Sequence, residues 1–402
     1  MIPANEIADA AERERADFVG LSGLITPSLD EMARTVVEFE RRGLKIPILV
    51  GGAATSALHT ALKLQPLYSG PVIHTTDASD SAVVVNTLMN PDKRNAYLES
   101  LRAFYDELTG KAAKRAVPEL ISYAEACAKA SPEKLFCPVP RFKQENPDAP
   151  EIEFRTDYSA SELAGKLDWD AFARAWKTPS EAAGNLVDDA KKRLAEAPFS
   201  IRACGGIFPV KRLDGDSFEV SGDAVGDSVV ITFPRAQTGD CRSLADFIGD
   251  WLGMFVVSAT VPETPGDDYV SLLDRTLANF LADAAASKVF DYLSTCIWGW
   301  RKESDPPSGI APAPGYPVLP DHSLKREIFR LLGIQDDFVK LTSNYMMSPS
   351  SSTCAFVIPD PRAEYRALGP VGDDQIAALA AARGFPVDRM KVLLSQSNFP
   401  VG

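Results

Sequence analysis

The first 90 residues alternate short apolar segments with helical segments, and this alternation constrains the fold more than any other feature. Residues 17–22, 45–50 and 71–74 have the composition of buried strands, and amphipathic stretches at 28–42, 55–64 and 77–90 follow them. Strands joined by such short helical crossovers pair in parallel with right-handed connections. The pattern predicts an α/β fold with a partial doubly wound, Rossmann-like parallel sheet, because complete sheets have about five or six strands. One sheet edge is expected to be exposed.

The pattern changes further along the chain. A charged helix over 92–108 leads into a Pro-rich stretch typical of a linker. Helical patterns at 157–177, 180–195, 244–252 and 269–300 then mix with strand-like runs at 203–209, 217–221 and 228–233. These patterns predict a partial sheet domain at 1–92, a linker at 93–150 and an α+β domain at 151–402.

Composition excludes several function classes. Lys and Arg total 42 and Asp and Glu total 55, for a net charge of −13, which argues against binding to nucleic acid or to an anionic membrane. The three histidines (His59, His74 and His322) and the six scattered cysteines predict neither a metal site nor catalysis by a histidine cluster. No signal peptide or apolar spanning run is visible, so a cytoplasmic protein is expected.

Three motifs are candidate binding elements. Residues 20–28 join a strand end to a helix start, and Gly51-Gly52-Ala53 follows the next strand. Open α/β sheets bind ligands at this edge, although a capped helix start equally explains the first motif. The third motif, PAPGYP at 312–317, is stiff and leaves backbone groups free for a ligand, but it also fits a rigid surface connection.

Together the motifs resemble a known family. GLSGLITPSLDEM at 20–32, RRGLKIPILVGGAATS at 41–56 and YSGPVIH at 68–74 resemble the second half of the cobalamin-binding domain of cobalamin-dependent methionine synthase. PAPGYP resembles the signature of that family's activation domain, which binds S-adenosylmethionine. The motifs occur in the family's order, so the resemblance implies a Rossmann-like part followed by an α+β activation-type domain.

The resemblance also implies site residues. Cobalamin-tail contacts would come from Ser22, Thr26, Gly51, Gly52, Ala53 and Ala78, and S-adenosylmethionine contacts from Asp168, Ala313, Gly315 and Tyr316. Two positions depart from the family. Ala311 stands where the family has an arginine that anchors the carboxylate of S-adenosylmethionine, and Val357 aligns with a ligand-contacting tyrosine. None of the three histidines has the context of the family's cobalt ligand, and Asp168 could instead lie at a solvated helix start.

The implied function is that of a C-terminal portion or separate subunit of this methyltransferase, which serves methionine biosynthesis. It would contribute cobalamin-tail contacts and reductive reactivation with S-adenosylmethionine, while the homocysteine, folate and zinc modules would come from a larger assembly. The implied partners are a polypeptide carrying the rest of methionine synthase and a flavodoxin-type electron donor. Two alternatives stay open: a non-catalytic binding or interaction protein with a degenerate S-adenosylmethionine site, which Ala311 motivates, and a gene fragment.

Overall fold

The structure is a computed structural model. It describes residues 3–23, 27–52, 55–114, 119–130, 135–148, 151–176, 180–222, 226, 228–261 and 268–395. The chain divides into two compact units, which we call the N-terminal unit (Met1–Pro118) and the C-terminal unit (Glu119–Gly402).

The N-terminal unit contains the predicted parallel sheet. Its strands are β1 (Val19–Ser22), β2 (Ile48–Gly51) and β3 (Val72–His74), in the order β1-β2-β3 with both pairings parallel. Its helices are α1 (Ala4–Arg13), α2 (Pro27–Arg41), α3 (Ala57–His59, continued by a π-helical turn at Thr60–Leu64), α4 (Ala78–Met89) and α5 (Pro91–Lys114). The predicted alternation of strands and helices is therefore confirmed.

Helices cover both faces of this sheet, which explains the continuous apolar runs of its strands. Ile48 and Val50 pack with residues of α1 and α2 in one cluster. Leu49 and Ile73 pack on the opposite face with Val84 and other residues of α4 and α5. The strand residues alternate between the two clusters because successive side chains point to opposite faces.

A tyrosine of α5 closes the β3 edge of the sheet. The Tyr105 hydroxyl donates to the Val72 carbonyl at 3.1 Å and accepts from the His74 N–H at 3.1 Å. Burial raises the pKa of Tyr105 to about 12, so the hydroxyl keeps its proton. The side chain thus occupies backbone groups that an unprotected edge would offer to another strand.

The C-terminal unit is built on an antiparallel sheet. The strand order is β11-β8-β5-β6-β7, and β4 also pairs with β5. These strands are β4 (Ile152–Tyr158), β5 (Ser200–Arg212), β6 (Ser217–Val220), β7 (Val229–Thr232), β8 (Trp251–Thr260) and β11 (Ser352–Val357), and β9 (Lys340–Leu341) and β10 (Met347–Ser348) form a separate ribbon.

Nine helices of the described residues complete this unit. They are α6 (Tyr123–Lys129), α7 (Arg141–Glu145), α8 (Ala160–Leu163), α9 (Trp169–Ala175), α10 (Ser180–Glu196), α11 (Asp268–Tyr292), α12 (Leu324–Leu331), α13 (Asp373–Arg383) and α14 (Val387–Ser395). The long β8 separates two cores: Met254 and Val256 join the cluster that contains α12, while Phe255 and Val257 join the cluster that contains α11. The predicted α+β character is confirmed.

Two helix predictions in this unit differ from the structure. The predicted helix at 157–177 starts too early, because residues 157 and 158 end β4, which pairs with β5 over seven residue pairs, and a capping box of Ser159 and Glu162 starts α8 only after it. The predicted helix at 244–252 is a single 3-10 turn, because Trp251 already pairs with Pro209 as the first residue of β8. Pairing with a distant strand overrides local helical pattern in both cases.

The predicted linker at 93–150 contains α5, α6 and α7. The Tyr123 hydroxyl of α6 donates to the Asp216 carboxylate at 2.8 Å, which attaches this helix to the turn between β5 and β6. The boundaries at 92 and 150 stay predictions. Across the described ranges, no helix has both the length and the apolarity that a membrane span requires.

Candidate functional site

Several predicted cobalamin-tail residues meet at the carboxyl edge of the parallel sheet. Ser22 and Gly51 end β1 and β2 as register partners. The Gly23 N–H donates to the Gly51 carbonyl at 2.9 Å, which extends the pairing into the following loops. Ala78 is the first residue of α4, which follows β3. The structure therefore brings the ends of all three strands to the edge where open α/β sheets bind ligands.

Gly52 is required for this arrangement. Its φ is +101°, and a Cβ built on it would lie 2.4 Å from the Gly23 carbonyl oxygen. Only glycine lets the two loops approach this closely, because any side chain would collide with backbone atoms. Thr26 and Ala53, which were predicted with these residues, lie outside the described residues.

One face of β1 is open at this edge. Gly20 and Ser22 share that face and are exposed, while Val19 and Leu21 on the other face are half-buried. Leu49, the register partner of Gly20, and its neighbour Ile73 are covered on the same face by α4 and α5. A Cβ on Gly20 would have no heavy atom of the described residues within 4 Å. The exposed face of β1, which carries only Gly20 and Ser22, is thus open to a ligand, and we call it the open floor.

The C-terminal unit contains a cavity of about 360 Å³ beside the PAPGYP motif. Its wall combines the 313–316 turn with residues of α11, the start of α12 and the 346–354 segment. The lining residues include Asn279, Ala282, Asp283, Ala313, Pro314, Gly315, Tyr316, His322, Lys325, Met346, Thr353 and Cys354. The volume lies within the range of about 300–1,000 Å³ that small-molecule sites occupy. Three predicted S-adenosylmethionine residues, Ala313, Gly315 and Tyr316, are brought together here.

Internal hydrogen bonds hold the motif in a tight turn. The Gly315 N–H donates to the Leu319 carbonyl at 2.7 Å, and the Leu319 N–H donates to the Tyr316 carbonyl at 2.8 Å. Gly315 has φ +100°, and a Cβ on it would lie 2.5 Å from Cε1 of His322. Glycine is needed both for the left-handed backbone and for the imidazole packed against it. The turn leaves the Tyr316 ring 62 % exposed at the cavity.

The cavity wall carries buried titratable groups that the sequence analysis did not assign to a site. His322 Nδ1 lies 2.9 Å from Lys325 Nζ. Burial, and then the nearby Lys325, lower the pKa of His322 to about 4, while burial also lowers the pKa of Lys325. Burial raises the pKa of Cys354 to about 12, so it stays a thiol. All three residues come after the motif in the sequence and line the same cavity. Nothing in the sequence indicated that they would lie there.

The comparisons with known proteins decide the family. Residues 149–384 match the family model described as vitamin B12 dependent methionine synthase, activation domain. This match covers more than half of the chain. The chain belongs to this activation-domain family. Residues 1–70 match the B12 binding domain model.

A solved structure has a fold similar to that of this chain. It is the crystal structure of the MetH reactivation domain bound to AdoHcy. The sequence identity is 24 %, the TM-score is 0.60, and the match covers 69 % of this chain and 98 % of that chain. At this identity the likeness shows the fold, and it confirms the predicted α+β activation-type domain.

The position that departs from the family resemblance, Ala311, has a tyrosine partner in this activation-type domain. The Ala311 backbone N–H donates to the Tyr365 hydroxyl at 2.8 Å. Val357, which aligned with the family's tyrosine, is fully buried in the core beneath α11. Tyr365 of the 349–365 segment therefore contacts residue 311, directly before the motif, and the sequence analysis did not predict this contact.

Asp168 lies at a helix start, apart from the lining residues of the cavity. Its carboxylate accepts from the Ala171 N–H at 2.8 Å and so caps α9, and it lies 3.9 Å from the Arg174 guanidinium. Its side chain is 64 % exposed. Asp168 is thus not among the lining residues of the cavity, which include Ala313, Gly315 and Tyr316, the residues that the resemblance grouped with it. Its ligand role stays a prediction.

Across the described ranges, no group of three or more His, Cys, Asp and Glu side chains could hold a metal ion.

Proposed function

We propose that this chain supports reductive reactivation in a cobalamin-dependent methionine synthase, by binding S-adenosylmethionine in the C-terminal unit and the cobalamin tail in the N-terminal unit. The observation that carries the proposal is the cavity beside the Gly315 turn, which lies within the part of the chain that matches the activation-domain family. When bound, S-adenosylmethionine would supply a methyl group and cobalamin would carry it.

The cavity fits S-adenosylmethionine in size and in chemical character. Pro314 and Met346 give apolar surface for a nucleoside, and the exposed Tyr316 ring can lie against a sulfonium cation. Asp283 and Lys325 add opposite charges to the wall, which suits an amino-acid group. The similar solved structure is titled as bound to AdoHcy, the compound left when S-adenosylmethionine gives up its methyl group.

The N-terminal unit fits the cobalamin tail at its open floor. Gly20 and Ser22 leave room above β1, next to the loops closed by Gly52. A large ligand group that slides against a sheet needs such small residues. We place the tail on this floor, with Gly51 and Ala78 at its rim.

The proposed partners follow from the family. The segments that complete methionine synthase would act with this chain, either in one polypeptide or as a separate subunit, and a flavodoxin-type protein would supply the electron. A cytoplasmic location belongs to the same proposal.

Calorimetry on the full chain tests the S-adenosylmethionine site. We expect binding near the micromolar range, and we expect Asp283→Lys to weaken it at least about tenfold because it reverses a charge on the cavity wall. Ser287→Lys is the matched control, since Ser287 lies one turn further along α11 and outside the lining residues. Absence of binding at millimolar S-adenosylmethionine would favour the alternative of a binding protein with a degenerate site.

Gel filtration with added corrinoids tests the tail site. Cobalamin should co-elute with the chain, whereas cobinamide, which lacks the nucleotide tail, should not. Gly20→Leu should abolish co-elution because its side chain fills the open floor. Equal retention of cobalamin and cobinamide would contradict recognition through the tail.

A further inference from the structure

His322 and Lys325 form a buried pair of hydrogen-bond donors on the cavity wall. The two side chains are 7 % and 5 % exposed, and their nitrogens lie 2.9 Å apart. A lysine ammonium only donates, so Nδ1 of His322 accepts and the ring proton lies on Nε2. His322 Nε2 is buried and has no hydrogen-bond partner in the described structure. The pair therefore presents donors that lack acceptors.

The acidic side chains near this pair are engaged elsewhere. Asp321 accepts from the Arg383 guanidinium at 3.1 Å and from the Ser323 hydroxyl. Glu327 pairs with Arg326 and Arg330. Among the described residues, no carboxylate forms an ion pair with Lys325, and this includes Asp283 on the same cavity wall.

A buried cation without a counter-ion is costly, and a ligand anion can offset that cost. Cys354 cannot serve as the counter-ion because its thiol stays protonated. Ala311, directly before the motif, offers no side-chain donor that could hold an anion instead. The contact between Gly315 and the imidazole fixes the pair directly against the motif turn.

We infer that the His322–Lys325 pair is the anion-binding point of the cavity and holds the carboxylate of the amino-acid group of S-adenosylmethionine. This inference rests on the proposed function and deepens it. A carboxylate fits better than a phosphate, because Asp283 on the same wall would repel a dianion but suits the ammonium of a zwitterion. Lys325 is the principal contact, and His322 positions it and adds the Nε2 donor.

Calorimetry with three nucleosides tests the assignment on the full chain. The ligands are S-adenosylmethionine, its decarboxylated form, which lacks only the carboxylate, and 5′-methylthioadenosine, which lacks the amino-acid group. The wild-type chain should bind S-adenosylmethionine about 10- to 100-fold more tightly than the decarboxylated form. Lys325→Met should reduce this preference to less than about threefold and leave affinity for 5′-methylthioadenosine unchanged.

Two further variants complete the design. Lys325→Arg should keep most of the preference, because it keeps the charge. Lys288→Met removes a lysine of α11 that pairs with Glu162 outside the cavity, and it should change no affinity.

The outcomes distinguish the His322–Lys325 assignment from the proposed function. Equal binding of S-adenosylmethionine and its decarboxylated form by the wild-type chain would overturn the assignment and leave the proposed function intact, even if Lys325→Met fails to fold. An unchanged preference in a folded Lys325→Met variant would overturn it as well. Failure of all three nucleosides to bind would overturn the proposed function and this inference together.

Discussion

Gly52 in the N-terminal unit and Gly315 in the C-terminal unit both have positive φ angles, but each lies close to a different kind of group. A Cβ on Gly52 would meet backbone atoms of Gly23, whereas a Cβ on Gly315 would meet the imidazole of His322. The first glycine joins two loops at the edge of a parallel sheet. The second lets a buried, titratable side chain pack under a turn.

The difference teaches that two turns that both require a glycine with positive φ can support sites of different physical character. The edge of the N-terminal sheet at Gly52 is formed by backbone atoms. No flexible side chain there can move aside to make room for a substitution. The cavity of the C-terminal unit is formed by side chains, so its shape and charge respond to substitution and to pH. The predictions that follow test this contrast.

Gly52→Ala should have the largest effect. The strained φ and the collision with backbone should together destabilise the N-terminal unit by about 4 kcal/mol. Hydrogen exchange of the β1 and β2 amides measures this, and protection should fall sharply. Gly20→Ala is the matched control, because open space surrounds its Cβ position, and it should change stability by less than about 1 kcal/mol. Retained amide protection in Gly52→Ala would contradict the backbone collision.

Gly315→Ala should destabilise the C-terminal unit by about 3 kcal/mol, through strain at φ and overlap with the imidazole. All five tryptophans of the chain lie in this unit, so urea denaturation followed by tryptophan fluorescence reports on it alone. The double variant with His322→Ser should recover part of the loss, since the smaller side chain removes the overlap. No recovery would mean that the backbone conformation alone demands glycine.

His322 should make the C-terminal unit less stable in acid. Its pKa is lowered to about 4 in the folded state from 6.5, so the unfolded chain binds more protons between these values. The stability it contributes is complete above pH 6.5 and is lost as pH falls toward 4. From pH 7 to pH 5 this loss should reach about 2 kcal/mol. Denaturation at each pH should show it in the wild-type chain and not in His322→Gln, and equal slopes in both would refute the buried neutral histidine.

Asp168→Ala should have the smallest effect. Loss of the cap of α9 should cost about 1 kcal/mol, seen again by tryptophan fluorescence. Asp170→Ala, in the first turn of the same helix, should cost less because Asp170 does not cap it. We expect S-adenosylmethionine affinity to be unchanged in both. A tenfold loss confined to Asp168→Ala would instead support the ligand role that the resemblance implies.

The sequence predicted the parallel sheet well because the evidence for it is local. Each strand of the N-terminal unit is a short apolar run bounded by turn residues, and helical periodicity fills the intervals. The same reasoning missed β4, whose seven residues become a strand by pairing with β5 about 50 residues later, and it began a helix at 157 instead. Local pattern cannot report a partner that distant.

Within the candidate sites, the sequence by itself determined where the chain must turn. Glycines and prolines act through their own backbone dihedrals, so Gly51-Gly52 and PAPGYP are recognisable without a fold. Only the tertiary structure decided what those turns face. It set Tyr365 against Ala311 across 54 residues, left Asp168 to cap a helix, and buried His322 and Lys325 in the cavity wall. Burial and long-range proximity arise from packing of the whole chain, and they fix the charge and hydrogen-bonding capacity that a ligand meets.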